Sequence, residues 1–190
     1  MDKMHKIIES IEANPVIAAV RRIEDMEDAI KSEVSAIFLL HGEIFTLKEV
    51  VERVKESGKS IFLHMDFIDG LGKDNRAIDY IAQVIQPDGI ISTRTSQIKY
   101  AVEIGLFSIQ RFFLVDSLSY ETVIKTVNNV QPHMIEIMPG LMTGILKKIS
   151  QQLHVPLIAG GLIETKGEVI EILKSGAIGA STGKKELWTL

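Results

Sequence analysis

The sequence predicts an α/β fold of one particular kind, a compact (β/α)8 barrel whose eighth helix is short or missing. Three observations carry that prediction. Eight short apolar runs, most of them rich in Ile, Val and Phe, recur with starts roughly 20–30 residues apart, the length of one βα unit. The runs are continuous rather than alternating, as parallel strands buried on both faces require. The segments between them place apolar residues at helical spacing. Eight is the strand number of the closed barrel, with an open doubly wound sheet as the alternative.

The first run is residues 15–20 (PVIAAV), followed by Arg21, whose role the sequence leaves open. The second is 36–40 (AIFLL), and the third is 60–65 (SIFLHM). Between these two, residues 47–57 put Leu47, Val50, Val51 and Val54 on one helix face. The fourth and fifth runs are 88–92 (DGIIS) and 108–113 (SIQRFF). Helical spacing over 120–130 (Val123, Ile124, Val127) leads to the sixth run, 134–138 (MIEIM). A helix over 143–153 (Ile145, Leu146, Ile149) leads to the seventh, 155–159 (VPLIA). A helix over 163–175 (Val169, Ile170, Leu173) leads to the eighth, 177–180 (AIGA). Gly58, Gly105 and Gly176 stand where a helix C-cap takes positive φ. A barrel typically needs ~250 residues. With 190, this one must have short loops, and residues 184–190 are all that remain for the last helix. No linker or low-complexity stretch marks a boundary, so one barrel domain over 1–190 is expected.

Composition narrows the function. The formal net charge of −4 argues against nucleic-acid binding by bulk charge, because phosphate neutralisation supplies most of that affinity. A local basic patch is still compatible with it. No apolar run reaches the ~18 residues of a membrane span, so a cytoplasmic protein without membrane contact is expected. Cysteine is absent, which excludes disulfides, thiolate chemistry and Cys-ligated metal. His5, His41, His64, His133 and His154 show no ligand spacing, and no metal site is assigned.

In such a barrel the site lies at the strand C-termini, with phosphate commonly bound by the loops after strands 7 and 8. Strand 7 ends in Ala159-Gly160-Gly161, and strand 8 runs into Ser181-Thr182-Gly183. Glycines let backbone N–H groups approach an anion closely. Gly160, Gly161, Ser181, Thr182 and Gly183 are therefore the expected phosphate site. Glu136 is a carboxylate inside an apolar run, followed by Met138-Pro139-Gly140. Burial of that charge requires a partner, either ligand hydroxyls or the neighbouring Arg111. His64 and Asp66 close strand 3, Arg94 follows strand 4, and residues 67–74 (FIDGLGKD) read as a mobile loop over the site. His64, Asp66, Arg94, Glu136 and Gly140 are the expected contacts to the rest of the ligand. No nucleophile elbow, Walker or dinucleotide motif is present, and no catalytic residue or cofactor is assigned.

The stretches LHMDFIDG (63–70), PDGIISTRTS (87–96), IQRFFLVD (109–116), IEIMPG (135–140), PLIAGGLI (156–163) and GAIGASTGKKELW (176–188) are similar to the glycerol-3-phosphate-responsive antiterminators, also called glycerol uptake operon antiterminator regulatory proteins. The resemblance runs in order over nearly the whole chain. It implies a regulator of glycerol uptake genes that binds sn-glycerol 3-phosphate and then the leader mRNA, so that transcription passes a terminator. It leaves open the RNA-reading surface and whether a homo-oligomer forms. A barrel enzyme acting on a phosphorylated triose (an isomerase, aldolase or lyase) is the alternative, with Asp66, Glu136 and His64 as its acid–base groups.

Overall fold

The computed structural model describes residues 3–190. Eight parallel strands close into a barrel: β1 (Val16–Val20), β2 (Ala36–Leu39), β3 (Ser60–His64), β4 (Gly89–Ser92), β5 (Phe107–Phe113), β6 (Met134–Met138), β7 (Leu157–Gly160) and β8 (Gly179–Thr182). Each pairs with its sequence neighbours, and β8 closes on β1 with Ile17 opposite Ser181. The open sheet is thereby excluded.

Helix α1 (Lys3–Ala13) precedes the barrel, and α2 (Met26–Lys31), α3 (Leu47–Glu56), α4 (Asn75–Tyr80), α5 (Thr95–Glu103), α6 (Ser117–Val130), α7 (Thr143–Gln152) and α8 (Lys166–Lys174) follow β1 to β7 in turn. After β8 there is only a 3-10 turn, Lys185–Leu187, in keeping with the short last helix expected. That turn is held in place: the Trp188 indole N–H donates to the Thr182 carbonyl (2.8 Å), and Lys185 pairs with Asp25 and Asp28.

The continuous runs reflect two cores. Ile17, Phe38, Phe62, Phe107, Ile109, Met134 and Ile158 point into the barrel, where the rings of Phe38, Phe62 and Phe107 meet edge to face at 5.6 and 5.5 Å. The alternate strand residues, such as Leu39, Leu63 and Ile135, pack under the helices. Ile7 and Ile11 of α1, four apart on one helix face, join the inner core at the N-terminal end of the strands. Hydrophobic packing fills the lower barrel, so polar inward residues are left for the C-terminal end.

Several boundaries differ from the sequence reading. β8 begins two residues after the start of its apolar run. α8 starts at Lys166, because Thr165 and Glu168 form a capping box that sets its first turn. The segment after β3 is tied down rather than loose. Ile68–Asp69 pairs with Gly42–Glu43, Gln97 donates to the Lys73 carbonyl (3.2 Å), and Asp74 caps α4 through the Ala77 N–H.

Candidate functional site

The inward positions at the strand C-termini carry the chemistry. Inward-facing positions of β5 alternate with period two, so Phe107 and Ile109 lead to Arg111. The same alternation in β6 leads from Met134 to Glu136, and Arg111 and Glu136 are register partners. The Arg111 Nε–H donates to Glu136 Oε2 at 2.5 Å, and the Ser181 hydroxyl donates to Oε1 at 2.5 Å. Glu136 is fully buried, with both oxygens engaged. A Cβ on Gly160 would overlap the Glu136 carboxylate and the Ser181 hydroxyl. The glycine at the end of β7 is thus the space into which the ion pair fits.

Above this pair is a cavity of about 400 Å³, lined by Gly161, Ser181, Thr182 and Gly183 from the β7 and β8 ends and by Arg21, Arg111 and Lys184. Gly161 has φ +80°, and a Cβ there would stand 2.7 Å from Met138 Cε. Leu162 follows at φ +61°, a strained conformation for a side chain of this kind, and also lines the cavity. The Thr182 hydroxyl is already committed: it donates to the Ile163 carbonyl (2.8 Å) and accepts from the Lys184 N–H (3.0 Å). With Ser181 and Thr182 both engaged, the charged groups of the cavity wall are Arg21, Lys184, the Glu136-paired Arg111 and, opposing them, Glu164. A larger groove, about 610 Å³, lies outside the mouth between the segment after β5 and α7 and contains none of the inward strand residues.

Three of the remaining expected contacts, His64, Asp66 and Arg94, form a second cluster, while Gly140 stands with the β7 end. Asp66 falls just past β3 in a 3-10 turn, Met65–Phe67, and reaches sideways to the end of β4. Its Oδ2 accepts from the Thr93 N–H (3.0 Å) and hydroxyl (3.1 Å), and its Oδ1 accepts from Arg94 Nε (2.9 Å). Burial pushes this carboxyl up, but the Thr93 N–H and the Arg94 guanidinium outweigh it and leave its pKa below the usual range. Arg94 is therefore held by Asp66, and half of it is exposed. His64 is inward and fully buried, and its pKa is lowered to about 4 by burial and then by the charge of Arg111. Gly140 follows the cis Met138–Pro139 bond, and its N–H donates to the Gly161 carbonyl (3.3 Å). A Cβ there would crowd Ile163, Ala159 and the Gly160 nitrogen, so it brings the β6 and β7 ends together.

Sequence reasoning did not single out Arg21, Arg111 and Lys184 as lining groups. Arg111 was legible by parity, two residues beyond Ile109 on the inward side of β5. Lys184 enters the cavity wall because the turn fixed by Thr182 replaces a full helix, which no local pattern announces. Among the described residues, no group of His, Asp and Glu could hold a metal ion, and no helix is long and apolar enough to cross a membrane.

Comparison with known proteins gives consistent results. The family model described as glycerol-3-phosphate responsive antiterminator matches residues 16–188. Uncharacterized protein YgcP of Escherichia coli is 36% identical over 184 residues, covering 97% of this chain and 96% of that protein. The crystal structure of a glycerol uptake operon antiterminator regulatory protein from Listeria monocytogenes superposes with a TM-score of 0.88 at 38% identity, over 92% of this chain and 95% of that one. A glycerol uptake operon antiterminator-related protein from Thermotoga maritima gives a TM-score of 0.82 at 31% identity, over 92% and 97% of the two chains. The chain belongs to the glycerol-3-phosphate responsive antiterminator family.

Proposed function

We propose that this protein is a ligand-controlled regulator of glycerol uptake genes. sn-Glycerol 3-phosphate occupies the barrel mouth, and the occupied form binds the leader mRNA so that transcription passes a terminator. The observation that carries the reading is the cavity itself: Arg21, Lys184 and the Glu136-paired Arg111 outnumber the one lining carboxylate, Glu164, and meet two glycine-bearing strand ends at one small chamber of a protein whose net charge is −4. A phosphate dianion suits that local field, and the positive-φ backbone at Gly161 lets it approach closely. The phosphate lies against Gly160, Gly161, Ser181, Thr182 and Gly183, with Arg21, Arg111 and Lys184 around it. The glycerol end faces Glu136, His64, Asp66, Arg94 and Gly140. No cofactor takes part. Asp66 and Glu136 both have their oxygens engaged, which favours binding over acid–base turnover.

The rim supports the RNA part of the reading. Phe45, Phe67 and Phe113 stand on βα loops or strand ends at 92%, 52% and 55% exposure, with Lys73 and Arg94 on the same face. Exposed rings beside cations are the groups on which single-stranded bases stack.

The ligand site is tested by Gly161→Val. The branched side chain at positive φ costs about 1–3 kcal/mol of stability and fills the space beside Met138. Loss of backbone approach should weaken sn-glycerol 3-phosphate by about tenfold or more, at roughly 1.5–3 kcal/mol per charge-assisted contact. Calorimetry on the folded variant reads this directly. Unchanged affinity removes the phosphate from this position.

A further inference from the structure

His64 is fully buried, yet among the described residues no protein group hydrogen-bonds to either ring nitrogen. The nearest carboxylate oxygen, Oδ2 of Asp66, is 3.6 Å from Nδ1, too far for a hydrogen bond. It is also already occupied by Thr93. Two unmet polar atoms in a protein interior cost free energy that only an incoming group can return. The phenyl ring of Phe67 lies over the imidazole, centroid to centroid at 4.6 Å, and is itself half-exposed. Phe67 therefore separates an unsatisfied polar subsite from solvent. His64 ends β3 and Arg111 lies on β5, both at inward strand positions, so the subsite faces the barrel interior from which Arg111 also reaches the cavity wall.

We infer that His64 under Phe67 is a hydroxyl-recognition subsite, which makes the barrel mouth selective for a polyol phosphate over a simple phosphate monoester. The inference rests on the ligand reading above and names the group that sets specificity within it. A neutral imidazole offers one donor and one acceptor, the complement of an alcohol, which gives one and takes one. A cationic group would be repelled by Arg111. A second anionic group would find only one donor at the imidazole and an ionised Asp66 alongside. Burial under an aromatic cover makes the discrimination steep, because an analogue without the hydroxyl leaves both nitrogens unmet. For the hydroxyl to enter, Phe67 must swing outward, towards the rim that carries Phe45 and Phe113.

The test is calorimetry with sn-glycerol 3-phosphate, n-propyl phosphate and inorganic phosphate on the full chain and on His64→Phe. The wild-type protein should prefer glycerol 3-phosphate to propyl phosphate by about tenfold or more. His64→Phe should erase that preference, bringing glycerol 3-phosphate and propyl phosphate to the same affinity within about twofold. His64→Leu removes both the donor and the acceptor on a smaller apolar side chain and should lose the preference in the same way, which keeps the test open if the phenyl ring is not accommodated. Retention of the preference by a folded variant overturns the subsite, as does a wild-type protein that binds both monoesters equally. A wild-type protein that binds none of the three probes overturns the ligand reading as a whole.

Discussion

Arg111→Met should lower the stability of this protein by about 3–5 kcal/mol, a large share of the roughly 5–15 kcal/mol that holds a domain of this kind folded. Arg111 is 6% exposed and Glu136 fully buried, so removing the guanidinium leaves a carboxylate with no counter-charge in the barrel. The Ser181 hydroxyl, which depends on the same carboxylate, cannot compensate alone. Charge desolvation, rather than the ion pair itself, sets this magnitude. The double variant Arg111→Met/Glu136→Leu should therefore recover most of the loss, because a buried pair replaced by apolar residues of similar volume is often neutral. Urea unfolding at matched slopes separates the two cases. A single-variant loss below about 1 kcal/mol would mean that the pair is not desolvated as its burial indicates.

The second large effect is a pH dependence. His64 is held neutral down to about pH 4 in the folded chain, by burial and then by Arg111, against a usual value of 6.5. Between those values the unfolded chain takes up a proton that the folded chain refuses. Stability therefore falls as pH drops from about 6.5 to about 4, levels off below that, and is fully present above pH 6.5. The shift corresponds to about 3 kcal/mol at most. Asp66, the neighbouring carboxylate, has its pKa lowered, so its own contribution is lost as pH falls through the ordinary carboxylate value towards the folded one and overlaps only the acidic end of the window. Chemical denaturation at a series of pH values should show this slope in the wild type, and His64→Phe should lose it between about pH 5 and 6.5, above the range in which carboxylates such as Asp66 and Glu168 titrate. An equal slope in both would assign the titration to another group.

Much of the architecture was legible because parallel barrel strands are buried on both faces and so read as unbroken apolar runs. All eight runs became strands, and Gly161 after β7 lines one cavity with Ser181, Thr182 and Gly183 at the end of β8. Glu136 stood out for the same reason, as a charge where none is cheap. Of the two partners the sequence offered Glu136, register supplies Arg111 directly opposite it. Helix α1 was missed, since its Ile7 and Ile11 lie among charges that mask the stripe. Helix α4, directly after the segment 67–74 that read as a loop, was not anticipated, since its six residues are too few to show a helical stripe. The anchoring of residues 67–74 depends on Gly42–Glu43 and Gln97, more than twenty residues away in the chain in each case. The loss of the Thr182 hydroxyl to Ile163 and Lys184 is likewise a tertiary fact, without any spacing to announce it.

In the proposed regulation, ligand occupancy and RNA affinity are coupled. A ligand shifts the protein towards its RNA-binding form only by binding that form more tightly, and the coupling is reciprocal. Fluorescence anisotropy of labelled leader RNA, with and without saturating sn-glycerol 3-phosphate, measures it most directly. The affinity should rise by about 5- to 150-fold with ligand, corresponding to ~1–3 kcal/mol, and should fall steeply with salt. Identical RNA affinity in the two conditions would contradict the account, and measurable turnover of the ligand would put a barrel enzyme in its place.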